Sequence, residues 1–199
     1  MSGAIQKYSK PAIILHWLTG LLILGMFCLG WYMSDIPKDL PKVASLDLFD
    51  LGIYTKKFAA AITPRTFYFN LHKSFGLMVL VLVLVRVYVR FTQAHPPFIA
   101  SMKAWEVKLA DLVHKALYVL IVVMPLTGLV MAINSKYGVK LFGLPLISGL
   151  DNAGLRDVFK EAHETVGVAL ITLIGLHIAS AIKHKAIDKD GVMERMSLK

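Results

Sequence analysis

The chain has 199 residues, of which 56% are hydrophobic and only 18% charged, and its formal net charge is +9. Soluble domains carry about 25% charged residues, so this composition excludes an ordinary water-soluble fold and predicts a membrane protein. The single cysteine, Cys28, excludes an internal disulfide and a cysteine-built metal cage, and the positive charge suits anionic head groups better than nucleic acid, for which no binding module is visible.

Four apolar stretches are each long enough to cross a hydrocarbon core, which takes about 20 helical residues. The first covers about 11–33 and carries His16 and Cys28, the latter as a small packing residue. It is too long for the apolar part of a leader peptide, and no small-residue cleavage site follows it, so it is read as a retained helix. A long polar segment leads to a second helix at about 67–91, with His72 near its start and Arg86 and Arg90 near its end. The third is expected at about 109–133, with His114 near its start; Pro125 inside it removes one backbone bond and predicts a kink. The fourth, at about 158–182, carries His163 and His177, and His184 follows in a basic tail. The expected fold is an all-α, four-helix membrane bundle in one domain over residues 1–199. An even number of crossings puts both termini on one side. That side holds the larger share of the 22 Lys and Arg, Lys199 among them, so the termini are expected in the cytoplasm.

Ionisable groups inside a membrane are costly and usually face a bundle interior with a partner. Here their depths match. His16 and His177 each lie five residues from the cytoplasmic ends of helices one and four, while His72 and His163 each lie five residues from the outer ends of helices two and four. His163 and His177 are 14 residues apart, which is roughly 21 Å of rise and within about 40° of one direction. One helix therefore offers a ligand to each of two stacked sites. A zinc or copper site needs its ligands converging on a point, whereas two separated pairs suit two b-type haems, each held by two imidazoles and fitted for electron transfer. There is no Cys-x-x-Cys-His for covalent haem attachment. Gly20, Gly76, Gly167 and Ala181 each follow one of these histidines by four residues, leaving room for a flat ring, whereas Tyr118 follows His114. Small residues also serve plain helix packing in membranes.

The ordered motifs resemble the bacterial cytochrome b561 family, related to the b-type cytochromes of hydrogenases. The likeness rests on His16-Trp17, His72-Lys73-Ser74-Phe75-Gly76, Pro125-Leu126-Thr127-Gly128, His163-Glu164 and Gly175-Leu176-His177, and on the tail from Lys183-His184-Lys185 to Arg195-Met196. It runs nearly end to end. The resemblance implies a bacterial inner-membrane protein with two haem b, His16 and His177 on the cytoplasmic haem and His72 and His163 on the outer one. It also places His184 in a quinone site, with ubiquinone as the electron acceptor or donor. The first outer loop, about 34–66, is longer than is usual in the family.

Other residues carry two readings each. Arg86 lies 14 residues after His72 at cytoplasmic depth, with Arg90 one turn on. They either neutralise haem propionates or anchor the helix at the interface. His184 and His114 lie near the cytoplasmic pair, where an imidazole could exchange protons with a quinone; His184 could equally be a basic interfacial residue. His95, before Pro96-Pro97, reads as an ordinary loop residue. Lysines of the outer loops, from Lys38 to Lys160, alternate with acids and read first as a solvated surface, second as a guide for a small anion. Three functions follow: electron transfer from a periplasmic donor, superoxide being the candidate to test, to quinone; a b-type subunit serving a partner dehydrogenase or hydrogenase; or a haem-free protein whose histidines relay protons.

Overall fold

A computed structural model describes residues 6–198, so Lys199 lies outside the described residues. Four long helices dominate it: α1 (Lys10–Asp35), α2 (Pro64–Thr92), α3 (Ala104–Ile133) and α4 (Ala153–Lys183). All four are long and apolar enough to cross a membrane. Three begin several residues before the apolar stretches do. The cause is capping in the polar flanks, where side chains take up the unpaired first N–H groups. Thr63 accepts from Thr66 N–H at 3.1 Å ahead of Pro64, and Asn152 accepts from Leu155 N–H at 3.1 Å. Glu106 reaches back to accept from Lys103 N–H at 2.9 Å. The α3 helix runs through Pro125 without interruption.

The bundle has two unlike ends. The start of α1, the end of α2, the start of α3 and the end of α4 share the terminal end with the folded C-terminal tail. The other end carries two antiparallel hairpins in segments that hydropathy marks only as loops: β1 (Val43–Asp47) with β2 (Thr55–Ile62), and β3 (Val139–Leu141) with β4 (Leu144–Ile147). The first pairs Ser45 with Lys57 and Asp47 with Thr55, and the second pairs Leu141 with Leu144.

Both hairpins are tied to helix ends. Phe49 N–H donates to the Tyr68 hydroxyl at 2.7 Å, and Tyr68, only 1% exposed, packs against Tyr32 and Phe49. Arg65 donates to the Ile36 carbonyl at 2.5 Å. The second hairpin rests on the residues just after His72. Lys73 donates to the Gly138 carbonyl at 3.0 Å, and the fully buried Ser74 hydroxyl accepts from Phe142 N–H at 2.8 Å.

Gly138 makes this closure possible. Its φ is +61°, and a Cβ there would lie 2.2 Å from the Ile147 carbonyl oxygen, well inside contact distance. Gly138→Ala is therefore expected to cost more than about 1 kcal/mol and to open the second hairpin. Limited proteolysis should cut between residues 136 and 149 in the variant and not in the parent.

Within the bundle α3 packs closely on α4, α1 on α2, and α2 on α3, whereas α4 makes few close backbone approaches to α1 or α2. The buried cluster of Ile23, Val79, Val83, Ile121 and Leu170 fills the middle. Many other apolar side chains, such as Leu21, Val81, Leu112 and Val168, point outward, as a lipid-facing surface requires. The tail is fastened at the terminal end: Trp17 donates to the Met196 carbonyl at 2.9 Å, Tyr8 N–H donates to the Arg195 carbonyl at 3.2 Å, and Arg195 donates to the Pro97 carbonyl.

Candidate functional site

Two of the helix pairs that stand apart, α1 with α4 and α2 with α4, carry the facing histidines. At the hairpin end the rings of His72 and His163 have centroids 6.4 Å apart, and at the terminal end those of His16 and His177 are 6.0 Å apart. Two imidazoles on opposite sides of one metal, each at about 2 Å, put their ring centres about 6 Å apart. Both pairs have that spacing.

At the hairpin end His163 is held from α3. Its Nδ1 lies 3.0 Å from the Met124 carbonyl oxygen and 3.1 Å from the Thr127 hydroxyl. A carbonyl can only accept, so Nδ1 carries the proton and Nε2 keeps its lone pair for a metal, the usual arrangement behind a ligating histidine. Among the described residues, His72 Nδ1 is buried without a hydrogen-bond partner. An apolar cleft of about 100 Å³ adjoins the pair, lined by both rings, Gly76, Gly128, Met26 and Met124 among others. Methionines are unbranched and adaptable, so these walls can part round a flat apolar ring. An orphaned ring nitrogen, a tautomer set for ligation and a yielding apolar cleft fit a b-type haem.

The glycines that touch the imidazoles are a different set from the small residues four positions after each histidine. A Cβ on Gly128 would lie 2.9 Å from His163 Cε1, and one on Gly30 would lie 3.5 Å from His72 Cε1. Gly76 lines the cleft, but Gly167 faces Met124 and Phe27, and Gly20 has open space. Of the ring-side pair, Gly128 stands within the Pro125–Gly128 motif, whereas nothing in the sequence marks Gly30.

The terminal end is more crowded. His114 packs against His177 with centroids 5.3 Å apart, closer than two imidazoles across one metal, so spacing favours His16 as the partner of His177. Arg86 turns inward. It donates to the Thr19 hydroxyl at 2.5 Å, and its other terminal nitrogen lies 2.9 Å from His16 Nδ1. Arg86 and Arg90 both lie over the Tyr118 ring, at 5.5 and 5.9 Å. Arg86 is therefore more than an interfacial anchor. Guanidinium only donates, so His16 Nδ1 accepts here, and ligation through Nε2 requires Arg86 to release that nitrogen. Thr19 and Tyr118 are the residues that sequence alone did not single out as partners of this arginine.

His184 is apart from this cluster, in a wide turn (His184–Asp188) that ends α4. It is 7% exposed and its Nδ1 lies 2.7 Å from an Asp190 carboxylate oxygen. Beside it, the hydrogen bond from Lys185 holds the Glu194 carboxyl below its ordinary pKa.

The sequence profile described as prokaryotic cytochrome b561 matches residues 7–198. Two proteins of Escherichia coli strain K12 are similar over nearly their whole length. Cytochrome b561 homolog 1 is 25% identical over 195 residues, covering 96% of this chain and 97% of the relative. Cytochrome b561 homolog 2 is 27% identical over 193 residues, covering 96% and 91%. A probable superoxide oxidase CybB of Yersinia pestis is 26% identical over 192 residues, covering 96% of each.

Proposed function

The chain belongs to the prokaryotic cytochrome b561 family, and from that premise we propose that it carries electrons from a donor at the hairpin end to ubiquinone at the terminal end through two haems. Membership of the family makes it a bacterial multi-pass membrane protein of b-haem electron transfer. The finer assignment is that His72 and His163 hold one haem and His16 and His177 the other. The observation that carries it is the pair of histidine couples at 6.4 and 6.0 Å, set in the two helix gaps that α4 shares. In this reading the hairpin end faces the periplasm and the termini the cytoplasm.

Haem, when bound, would supply a one-electron carrier at each level, with His72 and His163 holding one and His16 and His177 the other. The chain does the rest. Met124 and Thr127 fix the His163 tautomer; Arg86, once released from His16, and Arg90 would be the cations that pair with haem propionates. The buried core around Val83 and Leu170 keeps water from the space between the two levels.

The Yersinia relative is described as a probable superoxide oxidase, so superoxide is the donor to test. Each superoxide gives up one electron and leaves as dioxygen; two such electrons and two protons convert ubiquinone to ubiquinol. Stopped-flow mixing of the oxidised protein with superoxide should reduce the haems within milliseconds, with dioxygen but no peroxide as product. Haems that stay oxidised would sink superoxide as the donor.

One observation favours a protein donor instead. Both hairpins leave apolar side chains bare, including Leu51, Ile53 and Tyr54 on the first and Leu144 and Leu146 on the second. Exposed apolar clusters often mark docking surfaces. A redox protein that co-purifies through this end would identify the chain as the b-type subunit of a larger dehydrogenase or hydrogenase.

A further inference from the structure

The charged groups after α4 form a connected chain that electron transfer alone does not call for. Glu106, at the start of α3, lies 3.1 Å from Lys183, and Lys183 lies 2.6 Å from Asp188. Asp188 approaches His184 Nδ1 at 3.2 Å, and Asp190 approaches the same atom more closely, at 2.7 Å. Asp190 is itself fixed, since its other oxygen accepts from Val192 N–H at 3.1 Å. Its side chain and that of His184 are only 7% and 8% exposed. Lys189, in the left-handed region with φ +51°, turns the chain back so that Asp190 reaches the ring, and its N–H donates to the His184 carbonyl at 2.8 Å.

His184, Asp188 and Asp190 also have the spacing of a cation site. Lys183 already supplies the cation there, its ammonium lying on the same Asp188 oxygen that faces His184. A carboxylate on Nδ1 has a different consequence. It fixes the proton on that nitrogen and leaves Nε2 as the exchanging one. A polar cavity of about 260 Å³ adjoins the ring at the terminal end, lined by Lys185, Lys189, Gly191 and Glu194. Water can therefore reach the ring.

We infer that Asp190 is the positioning residue of a His184–Asp190 proton relay that delivers protons to quinone at the terminal end. This rests on the quinone reading above and adds to it the source of the protons. Quinone takes two electrons, one at a time from reduced b haem, and two protons. For each proton, the N–H bond at His184 Nε2 breaks as an O–H bond forms on the quinone, and the neutral ring is recharged from water in the polar cavity. Nδ1 keeps its proton throughout.

The test uses the haem-loaded full chain, pre-reduced and mixed with a soluble ubiquinone analogue. Asp190→Ala should lower the rate of haem reoxidation at saturating analogue by about 10²-fold, with less effect on the analogue concentration that gives half the maximal rate and none on haem content. It should also raise the solvent deuterium isotope effect, and formate should restore part of the rate. Asp190→Glu should keep most of it. Independently of quinone, ¹⁵N spectra of labelled histidine should report one His184 tautomer, protonated at Nδ1, in the parent and a mixture in Asp190→Ala. A rate that falls with no isotope effect and no rescue would make Asp190 a structural prop and overturn the relay, as would a variant with the parent's rate. Parent haems that never pass electrons to the analogue would instead remove the quinone reading, and the tautomer result would still say whether the dyad exists.

Discussion

Changing any one of His16, His72, His163 or His177 to alanine is expected to lower the haem content of the purified protein from two per chain to one. Changing His163 and His177 together should lower it to none. The α4 helix supplies one imidazole to each level, whereas α1 and α2 supply one to a single level each, so only variants that strike both levels empty the bundle. His114→Ala separates geometry from proximity. Its ring is nearer to His177 than that of His16, at 5.3 against 6.0 Å, but too near to share a metal with it. The variant should keep both haems. Pyridine haemochromogen absorbance against protein mass reads the ratio directly. If His114→Ala lost a haem and His16→Ala did not, the terminal pair would have to be redrawn as His114 with His177.

The spacing of these histidines was legible because a helix turns every 3.6 residues. Depth and face follow from that period, and the 14 residues between His163 and His177 carry both. What periodicity does not carry is which neighbouring helix meets a ring. The offset rule finds small residues one turn along from each histidine, where a flat ring needs room. It does not point to the glycines that crowd the imidazoles themselves, Gly128 on α3 and Gly30 on α1. Contacts between helices depend on rotation and tilt, and no local pattern encodes them.

The same limit hid other parts of the site. Arg86 at the rim reads equally as an anchor or as an inward charge until Thr19, His16 and Tyr118 are seen around it. The hairpins were missed because hydropathy sees only that residues 34–66 and 134–157 are polar enough to leave the membrane. Their ties run to Tyr68, Lys73 and Ser74, residues that in sequence belong to a helix. Asp190 lies six residues beyond His184, an offset that suits no regular helix face. It meets the ring only because the chain widens into the turn at His184–Asp188 and reverses at Lys189.

Gly128 gives the second large effect, and two opposed terms decide its sign. In a helix interior, alanine in place of glycine is favoured by about 1 kcal/mol, so on propensity alone Gly128→Ala would stabilise α3. The new Cβ, however, would stand 2.9 Å from His163 Cε1 and 3.1 Å from Nδ1, against about 3.5–4.0 Å for a relaxed carbon contact. The ring is not a flexible tip that can swing away, because Nδ1 is bound to the Met124 carbonyl. It must shift by several tenths of an ångström and lengthen that bond. Loss of such a supporting bond typically weakens metal binding about 10–100-fold. Because the clash with the ring offsets the gain in propensity, Gly128→Ala is expected to show its effect in weaker retention of the haem at the hairpin end rather than in higher heat resistance. The midpoint potential of that haem should rise, since a ring that shares its Nδ1 proton less fully donates less to iron. Gly30→Ala is the matched control: its Cβ would meet His72 Cε1 at 3.5 Å, an ordinary contact, and both haems should stay. Redox titration with haem analysis distinguishes the two sites, because the terminal haem is untouched in either variant. If Gly128→Ala kept the parent's haem content and both potentials, the Met124–His163 bond would not control that site, and α3 would be a wall of the bundle rather than a support for its ligand.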